Sequence, residues 1–192
     1  MRPKILAFAG SARKESLNKL LVRAAAAGAR AGGADVTLVD FLEFPMPLYD
    51  GDLESGSGIP AEAARFKALL VSHHGFLISS PEYNSSISPL LKNAFDWASR
   101  PAPGEKTLVA FRGKTAALLS ASPGDLGGLR GLVTVRSILG NIGVFVLPDQ
   151  MALPKAHEAF GIDGALKDEK LRARAEGIGR SLAEFTAKVV AT

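Results

Sequence analysis

A chain of 192 residues, 47% hydrophobic and 22% charged, has the composition of a globular protein and enough length to bury a sizeable core as one domain over 1–192. It has no cysteine, which excludes disulfides, thiolate metal sites, cysteine nucleophiles and iron–sulfur clusters. The net charge of +4 is scattered rather than gathered into a basic run, so no nucleic-acid-binding segment is predicted, and no run of about 18 apolar residues predicts a membrane span.

The chain opens on MRPKILAFAG, two basic residues followed by a short apolar run. At about six residues that run is below the roughly 7–15 of a signal-peptide core, so it predicts a first strand over 4–9; the lack of cysteine fits a cytoplasmic protein. Further apolar runs follow at 35–39, 75–79, 115–121 and 143–147. Several are continuous rather than alternating, as expected of strands covered on both faces. Helical stripes lie between them: Leu17, Leu20, Leu21 and Ala24; then Ala63, Phe66 and Leu70; then Leu91, Ala94, Phe95 and Ala98. Two more follow, around Leu129, Leu132 and Leu139, and through Leu171, Ala175, Ile178, Leu182 and Val189. The segments 45–60 and 148–164 show neither period and are predicted irregular.

Five strands alternating with five helices predict a doubly wound, three-layer α/β sandwich with a five-stranded parallel sheet. Right-handed crossovers place every loop that follows a strand at the carboxyl edge, where such folds bind ligands. Three loops of unusual composition should meet there.

The first loop, GSARKESLN at 10–18, joins a strand to a helix start, whose free N–H groups and positive dipole end attract anions. Ser11, Arg13, Ser16 and Asn18 add donors suited to a phosphate, with Leu17 at the first helical position. The alternative is a plain helix cap by Ser16. Neither a G-x-x-x-x-G-K-[ST] loop nor a G-x-G-x-x-G fingerprint is present. The second loop reads SPEYNSS at 80–86. Pro81 fixes a turn, the backbone N–H groups of Glu82, Tyr83 and Asn84 become available to a ligand edge, and Tyr83 can flank a flat ring. Ser88-Pro89 reads as a cap followed by proline in the first helical turn. The third loop, SASPGDLGGLR at 120–130, offers Ser120 and three glycines, among them Gly124, that permit close backbone approach to a flat ligand. Together the loops suggest a phosphorylated planar cofactor, FMN foremost.

Other constellations carry less. His73 and His74 are adjacent, and His157 is remote in sequence, so no metal site is predicted. Glu82 and Asp125 have no glycosidase framework, and Ser11 and Ser120 lack a nucleophile elbow. Trp97 falls off its helix stripe and suits core packing, a cover over a loop or a subunit contact.

The run G10-S11-x-R13-x-x-S16-x-N18, with P81-E82-Y83-N84-x-S86 and L91-K92-N93-A94-x-D96-W97, resembles the NADPH-dependent FMN reductase family, which includes quinone, azo-dye and chromate reductases. The resemblance implies a flavodoxin-like fold of strand order 2-1-3-4-5 and noncovalently bound FMN. It implies that Ser11, Arg13, Ser16 and Asn18 bind the phosphate. Pro81, Glu82, Tyr83 and Asn84 would hold the isoalloxazine, with Ser120 and Gly124 on its other side. No side-chain nucleophile is expected: NADPH or NADH passes a hydride to the flavin and leaves, and a small-molecule acceptor then takes the electrons. A homodimer or homotetramer is expected, with the 45–60 loop and Arg100 as candidates for contact across subunits. The rival from another class is a flavodoxin-type electron carrier, against which the basic charge counts.

Overall fold

The computed structural model describes residues 1–191. Its central sheet has five parallel strands: β1 (Lys4–Ala9), β2 (Asp35–Val39), β3 (Gly75–Ser79), β6 (Thr115–Ala121) and β7 (Phe145–Leu153), in the order β2-β1-β3-β6-β7. Counted along the main sheet alone this is 2-1-3-4-5, the flavodoxin-like order. Residues of β3 and β6 are buried throughout, and those of β1 are buried apart from Lys4. The edge strands β2 and β7 are partly exposed.

The continuous apolar runs are explained by covering on both faces. Ile5, Ala7, Leu77, Ala117 and Leu119 point to one face and pack against α1 (Leu17–Ala31) and α7 (Glu169–Val190). Their neighbours Leu6, Phe8, Phe76, Ile78 and Leu118 point to the other, against α3 (Ala61–Ser72), α4 (Pro89–Ala98) and α5 (Leu129–Asn141). One residue of slip would exchange the two sets, so the register, with Phe8 opposite Ile78, is fixed by both cores at once. Helices α1 and α7 approach closely enough that a Cβ on Gly28 would stand 1.9 Å from the Glu176 carbonyl oxygen.

Three segments depart from the sequence expectation. Within 45–60 a short helix, α2 (Gly51–Ser57), forms. Its glycines hide the period, while Asp50 caps it by accepting from Asp52 N–H at 2.8 Å. Strand β7 runs on through Pro148 to Leu153, into the stretch expected to be irregular. Proline is tolerated there because β7 is an edge strand, and its register against β6 shifts between Ala116 and Leu118. The third departure is a hairpin, β4 (Glu82–Tyr83) with β5 (Ser86–Ile87), inside the second loop. Its two turn residues, Asn84 and Ser85, have φ of 50° and 65°, the left-handed pair a type I′ turn demands.

Trp97 is buried and covers a loop within its own chain. Its Nε1 donates to the Pro47 carbonyl at 2.8 Å, and its ring meets Tyr49 edge-on. Asn93 donates to the same carbonyl at 2.8 Å and accepts from Tyr49 N–H at 2.8 Å. Arg100 pairs with Glu54 at 2.9 Å and lies over the Tyr49 ring. Asn93 and Trp97 of the L-K-N-A-x-D-W motif, with Arg100 just beyond α4, thus strap residues 47–54 in place. Among the described residues, no helix is long and apolar enough to cross a membrane.

Candidate active site at the carboxyl edge of the sheet

The first loop leaves β1 at Gly10, whose N–H donates to the Ser79 carbonyl at 2.9 Å. Ser16 occupies the N-cap position of α1 with extended backbone, yet its hydroxyl caps nothing. The plain-cap alternative therefore does not hold, and no acidic side chain lies in the first turn. The leading N–H groups of α1, at Leu17 and Asn18, keep their capacity for an external anion. Ser11 and Ser16 are buried, each 5% exposed. Arg13 is exposed, and among the described residues its guanidinium has no hydrogen-bond or ion-pair partner.

The Asn18 side chain is committed inward. Its Oδ1 accepts from Ser79 Oγ at 2.8 Å and Ala121 N–H at 2.9 Å, and its Nδ2 donates to the Ala121 carbonyl at 2.8 Å. What it offers a phosphate is its backbone N–H and one remaining Nδ2 hydrogen.

In the second loop Pro81 is buried, and Tyr83 is 46% exposed. The Glu82 carboxylate is already engaged: it accepts from Arg130 at 2.7 Å and 2.9 Å and from Gly131 N–H at 3.0 Å. Burial pushes its pKa up, but the Gly131 N–H and the Arg130 guanidinium outweigh that and hold it below the usual carboxylate value. Asn84, exposed in the hairpin turn, does not line the cleft. Ser88 caps α4, accepting from Leu91 N–H at 3.3 Å, and donates to the Gly10 carbonyl at 2.7 Å, so the expected cap also joins the first two loops.

The glycines of the third loop serve the protein itself. Gly128, at φ 88°, has no room for a side chain, since a Cβ there would meet Ser120 Oγ at 1.9 Å. Gly124 is exposed and lies outside the cleft lining. Ser120 sits behind the lining, its buried Oγ without a partner in the protein.

The three loops enclose a cleft of about 300 Å³, at the lower end of the roughly 300–1,000 Å³ of small-molecule sites. Ser11, Arg13, Ser16, Leu17 and Asn18 line one part of it, and Pro81, Glu82 and Tyr83 another. Glu15, Ser122 and Pro123 also line it, within loops the sequence singled out though not among its candidate residues, and so does His157, which the sequence showed only as a remote histidine. His157 carries no periodicity or motif that would place it at this edge. A larger groove of about 660 Å³ lies between α3 and residues 101–105, lined by Ile59, Ala64, Ala68, Val71 and Pro101. Its buried cation, Lys67, is already held by Glu105 and the Arg100 carbonyl, so no free polar set converges on a ligand there.

An uncapped helix start, two buried hydroxyls and a free guanidinium form the donor set a dianionic phosphate requires. The Pro81–Tyr83 segment supplies a flat flank. These features fit FMN. At the switch point of a parallel sandwich they define a flavodoxin-like, mononucleotide-binding protein.

The NADPH-dependent FMN reductase family model matches residues 3–158. The chain is 35% identical to an NAD(P)H-dependent FMN reductase of Pseudomonas aeruginosa over 170 residues, 88% of this chain and 87% of that protein. It is 32% identical to a probable NADPH:quinone oxidoreductase of Oryza sativa subsp. japonica, covering 97% and 90%. Among solved structures, a flavoenzyme NAD(P)H:(acceptor) oxidoreductase from Paracoccus denitrificans superposes with a TM-score of 0.78 at 26% identity, covering 97% of this chain and 98% of that one. An archaeal flavodoxin, at 11% identity and a TM-score of 0.62, shares the fold. The chain belongs to the NADPH-dependent FMN reductase family. It is an oxidoreductase with FMN as cofactor and NAD(P)H as co-substrate.

Proposed function

We propose that the protein reduces quinones at the expense of NAD(P)H in a ping-pong order. The observation that carries this reading is the convergence of a free Arg13, an uncapped α1 start and an exposed Tyr83 on one cleft. Bound FMN supplies a two-electron relay between dinucleotide and acceptor. NAD(P)H gives up one hydride and leaves oxidised. A quinone then takes the two electrons, the proton that came with the hydride and one proton from solvent, and leaves as hydroquinone.

The chain's own residues bind and orient. Ser11, Arg13, Ser16 and the first N–H groups of α1 would hold the phosphate; Pro81, Glu82 and Tyr83 would contribute backbone around the ring edge, with Asn84, Ser120 and Gly124 beyond the cleft lining. Glu82 positions this segment by gripping Arg130 and Gly131 N–H rather than by exchanging protons. No side-chain nucleophile is required. The quinone assignment is supported by the relatives named for that activity and by the exposed apolar rings and side chains of Tyr83, Leu126 and Leu129 on the second and third loops. Azo compounds, free flavins and chromate are further acceptors for the same chemistry. Assembly as a homodimer or homotetramer is part of the proposal, supported by Leu48, 77% exposed on the strapped loop, and tested by light scattering.

The deciding experiment mixes the flavin-loaded protein with NADPH or NADH under anaerobic conditions and then adds a quinone. Bleaching followed by return of the flavin bands, with parallel double-reciprocal plots in steady state, is the expected result. Bands that persist with both dinucleotides would make the protein an electron carrier instead.

A further inference from the structure

The cleft contains one titratable group beyond those of its three loops. His157 lies on α6 (Ala156–Ala159), and its side chain lines the same cleft as Ser11, Arg13 and Ser16. Its place is set by backbone. Ser122 N–H donates to the Leu153 carbonyl at 3.1 Å, Lys155 N–H to Gly124 at 3.3 Å and Ala156 N–H to Ser122 at 3.0 Å. Ala156 is fully buried, and Lys155 turns the chain at φ 47°. The segment that follows β7 is therefore laced to the loop that follows β6, and the imidazole is delivered to the cleft by two strands' ends at once.

The charges around it are few. Arg13 and Glu15 reach the cleft from the first loop, and Glu82 from the hairpin, where Arg130 and Gly131 already engage it. On its own helix Glu158 Oε1 stands 3.3 Å from His157 Nε2. Outside the lining, Lys155 and Asp125 face one another at 3.9 Å. A dianionic phosphate entering this cleft meets one free guanidinium, which leaves about one negative charge uncompensated. An imidazole becomes cationic in the range where such a charge can draw it, and an adjacent anion favours the protonated form.

We propose that His157 is a second cationic ligand of the FMN phosphate, acting with Arg13, and that its protonation tightens cofactor binding. The inference rests on the assignment of FMN to this cleft. It adds a binding residue outside the first and second loops.

The test measures dissociation constants of FMN and of riboflavin, which lacks the phosphate, for wild type, His157→Gln and His157→Lys at about pH 6 and pH 8. Comparing variant with wild type at each pH cancels the titration of the phosphate itself. His157→Gln should weaken FMN roughly fivefold at the lower pH, as expected for losing a half-exposed ion pair, and less than twofold at the higher. His157→Lys should hold FMN at the wild-type low-pH affinity at both. Riboflavin should be indifferent to either change. An equal loss at both pH values, or an equal loss for riboflavin, would mean that His157 acts through structure and would overturn the proposal. So would an effect confined to the KM for NADPH and absent for NADH, which would place the dinucleotide's phosphate there. Wild type that binds FMN with no change in His157→Gln defeats this inference alone, whereas wild type that binds no FMN defeats the cofactor assignment and the inference with it.

Discussion

Asn18 and Ala121 exchange two hydrogen bonds: Asn18 Nδ2 donates to the Ala121 carbonyl at 2.8 Å, and Ala121 N–H donates to Asn18 Oδ1 at 2.9 Å. The same Oδ1 accepts from Ser79 Oγ. One buried amide joins the start of α1 to the ends of β3 and β6, and so fixes the three loops relative to one another.

Replacing Asn18 with alanine leaves Ser79 Oγ and both backbone groups of Ala121 without this partner in a largely buried position. The expected cost is about 2–3 kcal/mol of unfolding free energy, since each buried polar group left unsatisfied costs roughly 1–3 kcal/mol and part of the loss relaxes. Urea unfolding of the flavin-free protein measures it. A stability equal to wild type would show that the loops are held by other means.

The Arg13 guanidinium has no hydrogen-bond or ion-pair partner among the described residues, and its backbone N–H bond to Ser11 Oγ survives truncation, so Arg13→Ala should leave the stability of the flavin-free form unchanged. Its effect should fall on FMN, at about 1.5–3 kcal/mol, the range for a hydrogen bond to a charged group and equal to a loss of at least tenfold in affinity. Fluorescence titration reads this directly. Retention of FMN at wild-type affinity would remove Arg13 from the phosphate site.

Glu82 titrates with a lowered pKa because Gly131 N–H and Arg130 outweigh its burial. A carboxylate depressed in the folded state contributes stability that is present above its unfolded pKa, near 4.3, and is lost as pH falls through the folded value. Wild type should therefore lose more stability than Glu82→Gln on acidification below about pH 4.5, and the two curves should run parallel above about pH 6. Chemical unfolding across that range tests the sign: the wild-type advantage should shrink as pH falls, and an advantage that grows on acidification would refute it.

Ser85 holds φ of 65° in the type I′ turn, where glycine is favoured after asparagine. Ser85→Gly should stabilise the protein by about 1 kcal/mol, the relief of a left-handed non-glycine residue offset by the extra freedom of the unfolded chain. A lower melting temperature in this variant would contradict the turn assignment.

Asn93 both donates to Pro47 and accepts from Tyr49 N–H. Asn93→Ala should loosen the strap over residues 47–54 with little change in FMN affinity, because Asn93 does not line the cleft. Faster protease cleavage within that segment is the expected readout, and an unchanged rate would mean that Trp97 and Arg100 hold it without help.

Much of this was written locally. Continuous apolar runs such as GFLIS predict strands covered on both faces, and the alternation of strand and helix predicts the sheet and the edge where ligands bind. Ser88-Pro89 predicts its helix start, and the composition of 10–18 predicts an anion site, because capping and helix-end chemistry depend on neighbours within one turn. Side-chain partnership is different. That Asn18 spends its amide on Ala121, that Glu82 grips Arg130, that Gly128 makes room for Ser120 and that His157 lines the same cleft as Arg13 depend on residues far apart in the chain. A hydrogen bond is decided by positions within a fraction of an ångström, and those positions exist only once the crossovers have brought the strand ends together.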